Sequence, residues 1–178
     1  MPPPRKISAQ IMMLCSLAAV AMGATATAGE SATCGTREAT IVGTAGDDEL
    51  FGTPERDTIQ GLGGKDLIRG LGARDYLCGG RGHDRIIGGR GGDVGRGERG
   101  FDRLRGREGD DDLDGGTGND DLGGGPGDDS LQGGFARTYQ GHNMGDGDPD
   151  EQDGGRGTDT CFGNAGDSTH RCEMIIVE

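Results

Sequence analysis

A large aliphatic side chain recurs at every ninth position of this chain. Leu50, Ile59, Ile68, Leu77, Ile86, Leu104, Leu113, Leu122 and Leu131 form the column, and only Gly95 interrupts it. Flanking positions are mostly polar, so each aliphatic sits at the centre of a short alternation that predicts a strand with one buried face. A second column, of glycine, opens the units: Gly43, Gly52, Gly61, Gly70, Gly79, Gly88, Gly97, Gly106, Gly115 and Gly124. Five residues after each comes an aspartate: Asp48, Asp57, Asp66, Asp75, Asp84, Asp93, Asp102, Asp111, Asp120 and Asp129. Ten units thus run from Gly43 to Gln132 without insertion or deletion. Such a period fixes a repeat architecture.

The first six positions of a unit are glycine and polar residues, which predict a turn with positive φ angles. The last three predict the strand. Turn and strand in alternation wind the chain into a flattened coil with two units per circuit. Successive circuits stack as parallel strands about 4.8 Å apart, and ten units give a rod roughly 24 Å long. The expected fold is all-β, with the inward aliphatics meeting in one thin central layer. That layer is small against the cost of ordering so much glycine.

Composition changes this picture in one respect. Forty glycines, 3% aromatic residues and a net charge of −13 are values typical of a disordered acidic chain. Ninety residues held in register oppose that reading, because a disordered segment has no reason to keep three columns aligned. Disorder conditional on a missing cation is compatible with both observations.

The two ends carry different signals. Residues 1–28 read as an export signal: Arg5 and Lys6, an apolar stretch from Ile11 to Met22, then small residues at Ala24-Thr25-Ala26 and Ala26-Thr27-Ala28. The apolar stretch is shorter than the about 20 residues that span a bilayer, and no membrane insertion is expected. Removal takes two basic and no acidic residues, so 16 bases against 31 acids leave a net charge of −15. The expected product is secreted and extracellular. It retains Cys34, Cys78, Cys161 and Cys172, an even count that favours disulfides over metal thiolates. Three pairings are possible; the favoured one, Cys34–Cys78 with Cys161–Cys172, joins each end to its nearest neighbour. Residues 29–42 then form an N-terminal cap, 43–132 the repeat array, 133–153 an irregular acidic loop, and 154–178 a degenerate repeat with a disulfide-stapled C-terminal cap.

Each turn offers one carboxylate and several backbone carbonyls freed by glycine. These hard oxygens suit Ca²⁺, which takes about 6–8 ligands in loose geometry, better than Mg²⁺, Zn²⁺ or copper. A cation between unit i and unit i+2 on one edge gives at most about eight ions over the array. Candidate ligands are the ten aspartates of the column, with Asp159 of the detached unit GGRGTDTCF as an eleventh.

GGRGHDRII, GGRGGDVGR, GGTGNDDLG and GGPGDDSLQ follow or nearly follow the nonapeptide G-G-x-G-x-D-x-U-x, in which U is a large aliphatic residue. The chain resembles the RTX (haemolysin-type) calcium-binding repeat proteins, in particular small bacterial members exported by an N-terminal signal. The resemblance implies a parallel β-roll, that is a right-handed β-solenoid, with several Ca²⁺ ions in the turns and folding on binding. Departures are Glu55 and Ala73 in place of the fourth glycine, Gly95 as a core gap, and no second glycine in units one to four, seven and eight. Arg56, Lys65, Arg74 and His83 stand beside early sites and lower their expected affinity. The gaps of Asp111 with Asp129 and of Asp102 with Asp120 are expected to fill first.

Other signals are weaker. Eight arginines between Arg81 and Arg107 suggest a face for an extracellular glycan or cell-wall polymer, against the simpler reading of a solvated outer surface. Nucleic acid is not an expected partner, given the acidic charge and few aromatics. Asp146, Asp148 and Asp150 alternate like an EF-hand loop but lack its glycine and final glutamate. His83, His142 and His170 are scattered, and no catalytic constellation is visible, so no enzymatic role is expected.

Overall fold

The computed structural model describes residues 5–8, 32–134, 137–139, 142–144, 151–163, 168–172 and 174–177. Two eight-stranded parallel sheets make up the body. The first contains Arg5–Ser8, Asp48–Phe51, Leu67–Gly72, Arg85–Arg90, Arg103–Glu108, Asp121–Pro126, Glu151–Arg156 and Ser168–His170. The second contains Ile41–Val42, Thr58–Gly63, Tyr76–Arg81, Val94–Arg99, Asp112–Thr117, Ser130–Gly134, Thr160–Gly163 and Met174–Val177. The chain crosses from one sheet to the other at every turn and pairs with itself 18 residues on, as Leu50 with Ile68 and Ile59 with Leu77. It is a parallel β-roll with two units per circuit. No helix long and apolar enough to cross a membrane occurs among the described residues.

Strands are longer than the alternation suggests. Thr58–Gly63 covers the last three positions of one unit and the first three of the next, leaving only Gly64–Asp66 as the turn. The reason is that the opening residues also stack in register, Leu62 on Gly80 and Gly63 on Arg81, so the ladder persists until the chain must reverse.

The core is one column per sheet, facing each other. Ile41, Leu50, Ile59, Ile68, Leu77, Ile86, Leu104, Leu113, Leu122, Leu131 and Cys161 form it, all buried. Gly95 does not leave the expected gap. A Cβ there would lie 3.0 Å from Leu113 Cδ2 and 3.5 Å from Leu104 Cδ2, so neighbouring side chains already occupy the space.

The cysteines pair as Cys34–Cys78 and Cys161–Cys172, with Cα separations of 5.5 and 6.0 Å. The first staples a small antiparallel hairpin, Thr33–Cys34 with Arg37–Glu38, to the outer face of the second sheet. Thr58, Gln60 and Cys78, at positions that elsewhere face outward, are buried there. Arg37 lies 3.9 Å over the Tyr76 ring. At the other end Cys161 takes an aliphatic position in the core, and its disulfide closes the column.

Beyond Gly134 the roll resumes earlier than the residue pattern suggests. Glu151–Arg156 pairs with Asp121–Pro126, placing Gln152 opposite Leu122 at a step of 30 residues in place of 18. The irregular segment is therefore an excursion out of one circuit, and 151–153, expected within the loop, belong to a strand. Gln152 hides this, because a polar residue occupies the aliphatic column; it is fully buried and its Nε2 donates to the Phe162 carbonyl at 2.9 Å. Part of the excursion is the hairpin of Arg137–Tyr139 with His142–Met144. The Asp146–Asp148–Asp150 alternation lies outside the described residues. So does the expected export signal, except Arg5–Ser8, which runs parallel to Asp48–Phe51 at the edge of the first sheet.

Candidate metal centre

Every aspartate of the predicted column, Asp159 included, lies at a turn and is 8% exposed or less. The winding sorts them onto two edges. Asp48, Asp66, Asp84, Asp102 and Asp120 stack on one, and Asp57, Asp75, Asp93, Asp111, Asp129 and Asp159 on the other. Within each stack, Oδ1 accepts the backbone N–H of the aspartate one circuit earlier, at 2.7–2.9 Å. A bond from an amide to a carboxylate contributes about 1.5–3 kcal/mol, so the column ties circuit to circuit. It also brings like charges together.

The second carboxylate oxygen divides the turns into two kinds. In Asp66, Asp75, Asp84, Asp93, Asp102, Asp111 and Asp129, Oδ2 is buried and accepts nothing. It faces the opening glycine of its own unit. A Cβ on Gly88 would collide with Asp93 Oδ2 and lie 2.8 Å from the Gly106 carbonyl oxygen, so two acceptors share a space that only glycine leaves open. Neither can satisfy the other. Burial therefore pushes the carboxyls of Asp66, Asp75, Asp102 and Asp111 up to about 7 and those of Asp84, Asp93 and Asp129 to about 6. The stacked amides oppose the rise, and neighbouring carboxylates add to it at Asp66, Asp75, Asp102, Asp111 and Asp129.

In these open turns the residue after the opening glycine has positive φ, whether it is Gly80, Gly89 and Gly125 or Leu62, Leu71, Glu98 and Arg107. For the four side-chain-bearing residues this costs about 1–2 kcal/mol each. Units one and two differ. Thr44 donates to Asp48 Oδ2 from its N–H at 2.6 Å and from its hydroxyl at 2.9 Å, and Thr53 treats Asp57 Oδ2 identically. Neither threonine has positive φ. At Oδ2 these two turns are closed by protein donors, although Asp48 Oδ1 is buried without one. The sequence signal was a threonine four residues before the aspartate, a spacing known for side-chain to backbone turns, and the absence of the second glycine obscured it.

Position five builds a parallel exposed ladder. Asp47 Oδ1 accepts the Lys65 N–H, Asp110 Oδ1 that of Asp128, and Asp128 Oδ1 that of Thr158. His83 fills the same role through Nδ1, accepting the Phe101 N–H at 2.9 Å with the two rings stacked 5.0 Å apart. Arg56 and Arg74 oppose the burial-driven rise at Asp75 and Asp93 one circuit on, whereas Asp110 adds to it at Asp111 and Asp129. Five of the eight arginines between Arg81 and Arg107 lie in strands of the first sheet and three in the second. Arg85, Arg90, Arg103, Arg105 and Arg107 are those of the first sheet, and Arg81, Arg96 and Arg99 those of the second. Asp121 holds Arg103 and Arg105 at 2.8 Å, and Glu108 lies 3.5 Å from Arg90.

The family model described as RTX calcium-binding nonapeptide repeat (4 copies) matches residues 35–54, 51–86 and 87–122. The chain is an RTX-type repeat protein. No curated protein and no solved structure matches it. RTX repeats imply binding of Ca²⁺, and the open turns fit that ion. Each supplies a buried carboxylate oxygen without a donor in a cradle that a Cβ would fill, and in the turns of Asp66, Asp75, Asp93, Asp102 and Asp129 a backbone carbonyl shares that cradle. Among the described residues no three His, Cys, Asp or Glu side chains gather into one ligand set, and the donors the open turns offer are carboxylate and backbone oxygens. That donor set suits calcium. The cysteines that zinc would prefer are consumed in disulfides.

Proposed function

We propose that this RTX protein is a secreted calcium binder that winds into its roll on meeting the ion outside the cell. Asp66, Asp75, Asp84, Asp93, Asp102, Asp111, Asp120, Asp129 and Asp159 are its ligand column. The observation that carries this reading is the row of buried carboxylate oxygens, Asp66, Asp75, Asp84, Asp93, Asp102, Asp111 and Asp129, that no protein donor reaches. Ionised and unpartnered, each costs the folded chain at least about 1–3 kcal/mol, and more for its charge. A divalent cation removes both the desolvation and the repulsion along the stack. Two disulfides and the leader pattern of residues 1–28 support export to an oxidising compartment. Extracellular calcium modules work at about 10⁻⁴–10⁻³ M, the regime in which such a chain stays unwound inside the cell.

Circular dichroism of the full chain in chelator and in millimolar calcium tests folding, and isothermal titration counts the ions. The expected outcome is a large gain of β signal with calcium and uptake of several ions. A spectrum and a titration both indifferent to calcium would overturn the reading.

A further inference from the structure

We infer that Thr44 and Thr53 are built-in substitutes for the cation, making the first two turns a metal-independent base on which the calcium-dependent turns wind. The inference rests on the proposed function and adds to it a polarity along the rod. The two donors of each threonine converge on the carboxylate oxygen that is left bare in Asp66, Asp75, Asp84, Asp93, Asp102, Asp111 and Asp129. A β-branched residue strongly resists positive φ, so threonine also holds position two in the conformation that keeps its N–H on the carboxylate. Glycine at that position, as in Gly80 or Gly89, frees the peptide to turn away.

The same end holds other metal-free supports. The hydroxyl of Thr44 also accepts the Gly46 N–H, and that of Thr53 the Glu55 N–H, which fixes both loops locally. Thr40 and Thr58 exchange hydrogen bonds across one circuit, Thr40 Oγ1 donating to the Thr58 carbonyl and accepting the Thr58 N–H. The Cys34–Cys78 disulfide clamps the hairpin over Thr58, Gln60 and Cys78, so the base spans residues 32–63 and is bonded covalently to Tyr76–Arg81. Its upper rim, Thr58–Gly63, presents a preformed strand to the next circuit. A costly nucleus is what a solenoid otherwise lacks, since each repeat is stable only against a folded neighbour.

Hydrogen exchange with mass-spectrometric readout on the full chain, in chelator and in calcium, tests this. Peptides from 40–60 should stay protected in chelator while those from 97–134 exchange at least tenfold faster; calcium should slow only the latter. The double variant Thr44→Gly/Thr53→Gly should make 40–60 exchange in chelator and recover protection with calcium. Thr44→Ser/Thr53→Ser, which keeps both hydroxyls, should behave as the parent. Uniform exchange along the chain in chelator, or a glycine double variant that keeps its protection there, overturns the inference alone. Exchange that calcium alters nowhere overturns the proposed function as well.

Discussion

The first two turns and the seven open turns share their glycine column, their aspartate column and their stacking one circuit on the next, yet their carboxylate Oδ2 atoms are in opposite electrostatic conditions. In the first two, a threonine hydroxyl and amide satisfy carboxylate Oδ2, while Asp48 Oδ1 is buried without a donor. In the later turns Oδ2 of Asp66, Asp75, Asp84, Asp93, Asp102, Asp111 and Asp129 is buried without a donor. A single side chain at position two decides between the states. The repeat thus fixes where the carboxylates sit, and the exceptions to the repeat fix what they need.

Acid should blur that contrast most. The open carboxyls have folded-state values of about 6–7 against an ordinary 3.8. A raised value means the folded state holds more protons than the unfolded one, so in chelator stability falls as pH rises through about 4–7 and is fully present below. The β signal in chelator should accordingly be stronger at about pH 5 than at about pH 8. With calcium the trend reverses, since protons compete for the same oxygens and the calcium midpoint should rise in acid. An apo spectrum that loses β signal on acidification would contradict the assignment of the open turns.

A smaller effect should come from sealing an open turn sterically. Gly100 has φ +142° and a Cβ there would collide with the Gly82 carbonyl one circuit below. Gly100→Ala should lower the calcium-bound melting temperature by an amount equivalent to about 2–4 kcal/mol, through strain at a left-handed position. Ala73, at φ 65°, carries a methyl at the same position of its unit. A Gly100→Ala protein as stable as the parent would mean that successive turns are not stacked this closely.

The smallest effect is expected on the outer face. Asp121 accepts from Arg103 and Arg105, which hold its carboxyl below the usual range despite partial burial. These pairs are half exposed, so Asp121→Asn should cost no more than about 1 kcal/mol in thermal melts and leave calcium titrations unchanged. A changed ion count would link the outer face to the turns.

Much of this was readable before any coordinates. Nine aliphatics at one spacing define the core column, and the nine-residue step with parallel stacking defines the roll. The nearest-neighbour cysteine pairing was also visible, because hairpin and C-terminal cap each carry one cysteine toward the nearest circuit. The closed turns were not visible as such: absence of a second glycine was read as a departure from the repeat, whereas Thr44 and Thr53 replace it with donors. Gln152 concealed the resumption of the roll, since a buried amide carries no hydrophobic signal. Gly95 suggested a void that Leu104 and Leu113 in fact occupy, and side-chain lean has no trace in a column of letters.

The sequence by itself determined the period, and with it which residues face inward, which turn, and which carboxylates lie in line. Spacing is enough for that, because a strand alternates faces and a solenoid repeats its register. Only the tertiary structure decided which of those carboxylates are satisfied. A hydrogen bond depends on the direction of a peptide N–H within a few tenths of an ångström, and that direction is set by the circuits stacked above and below.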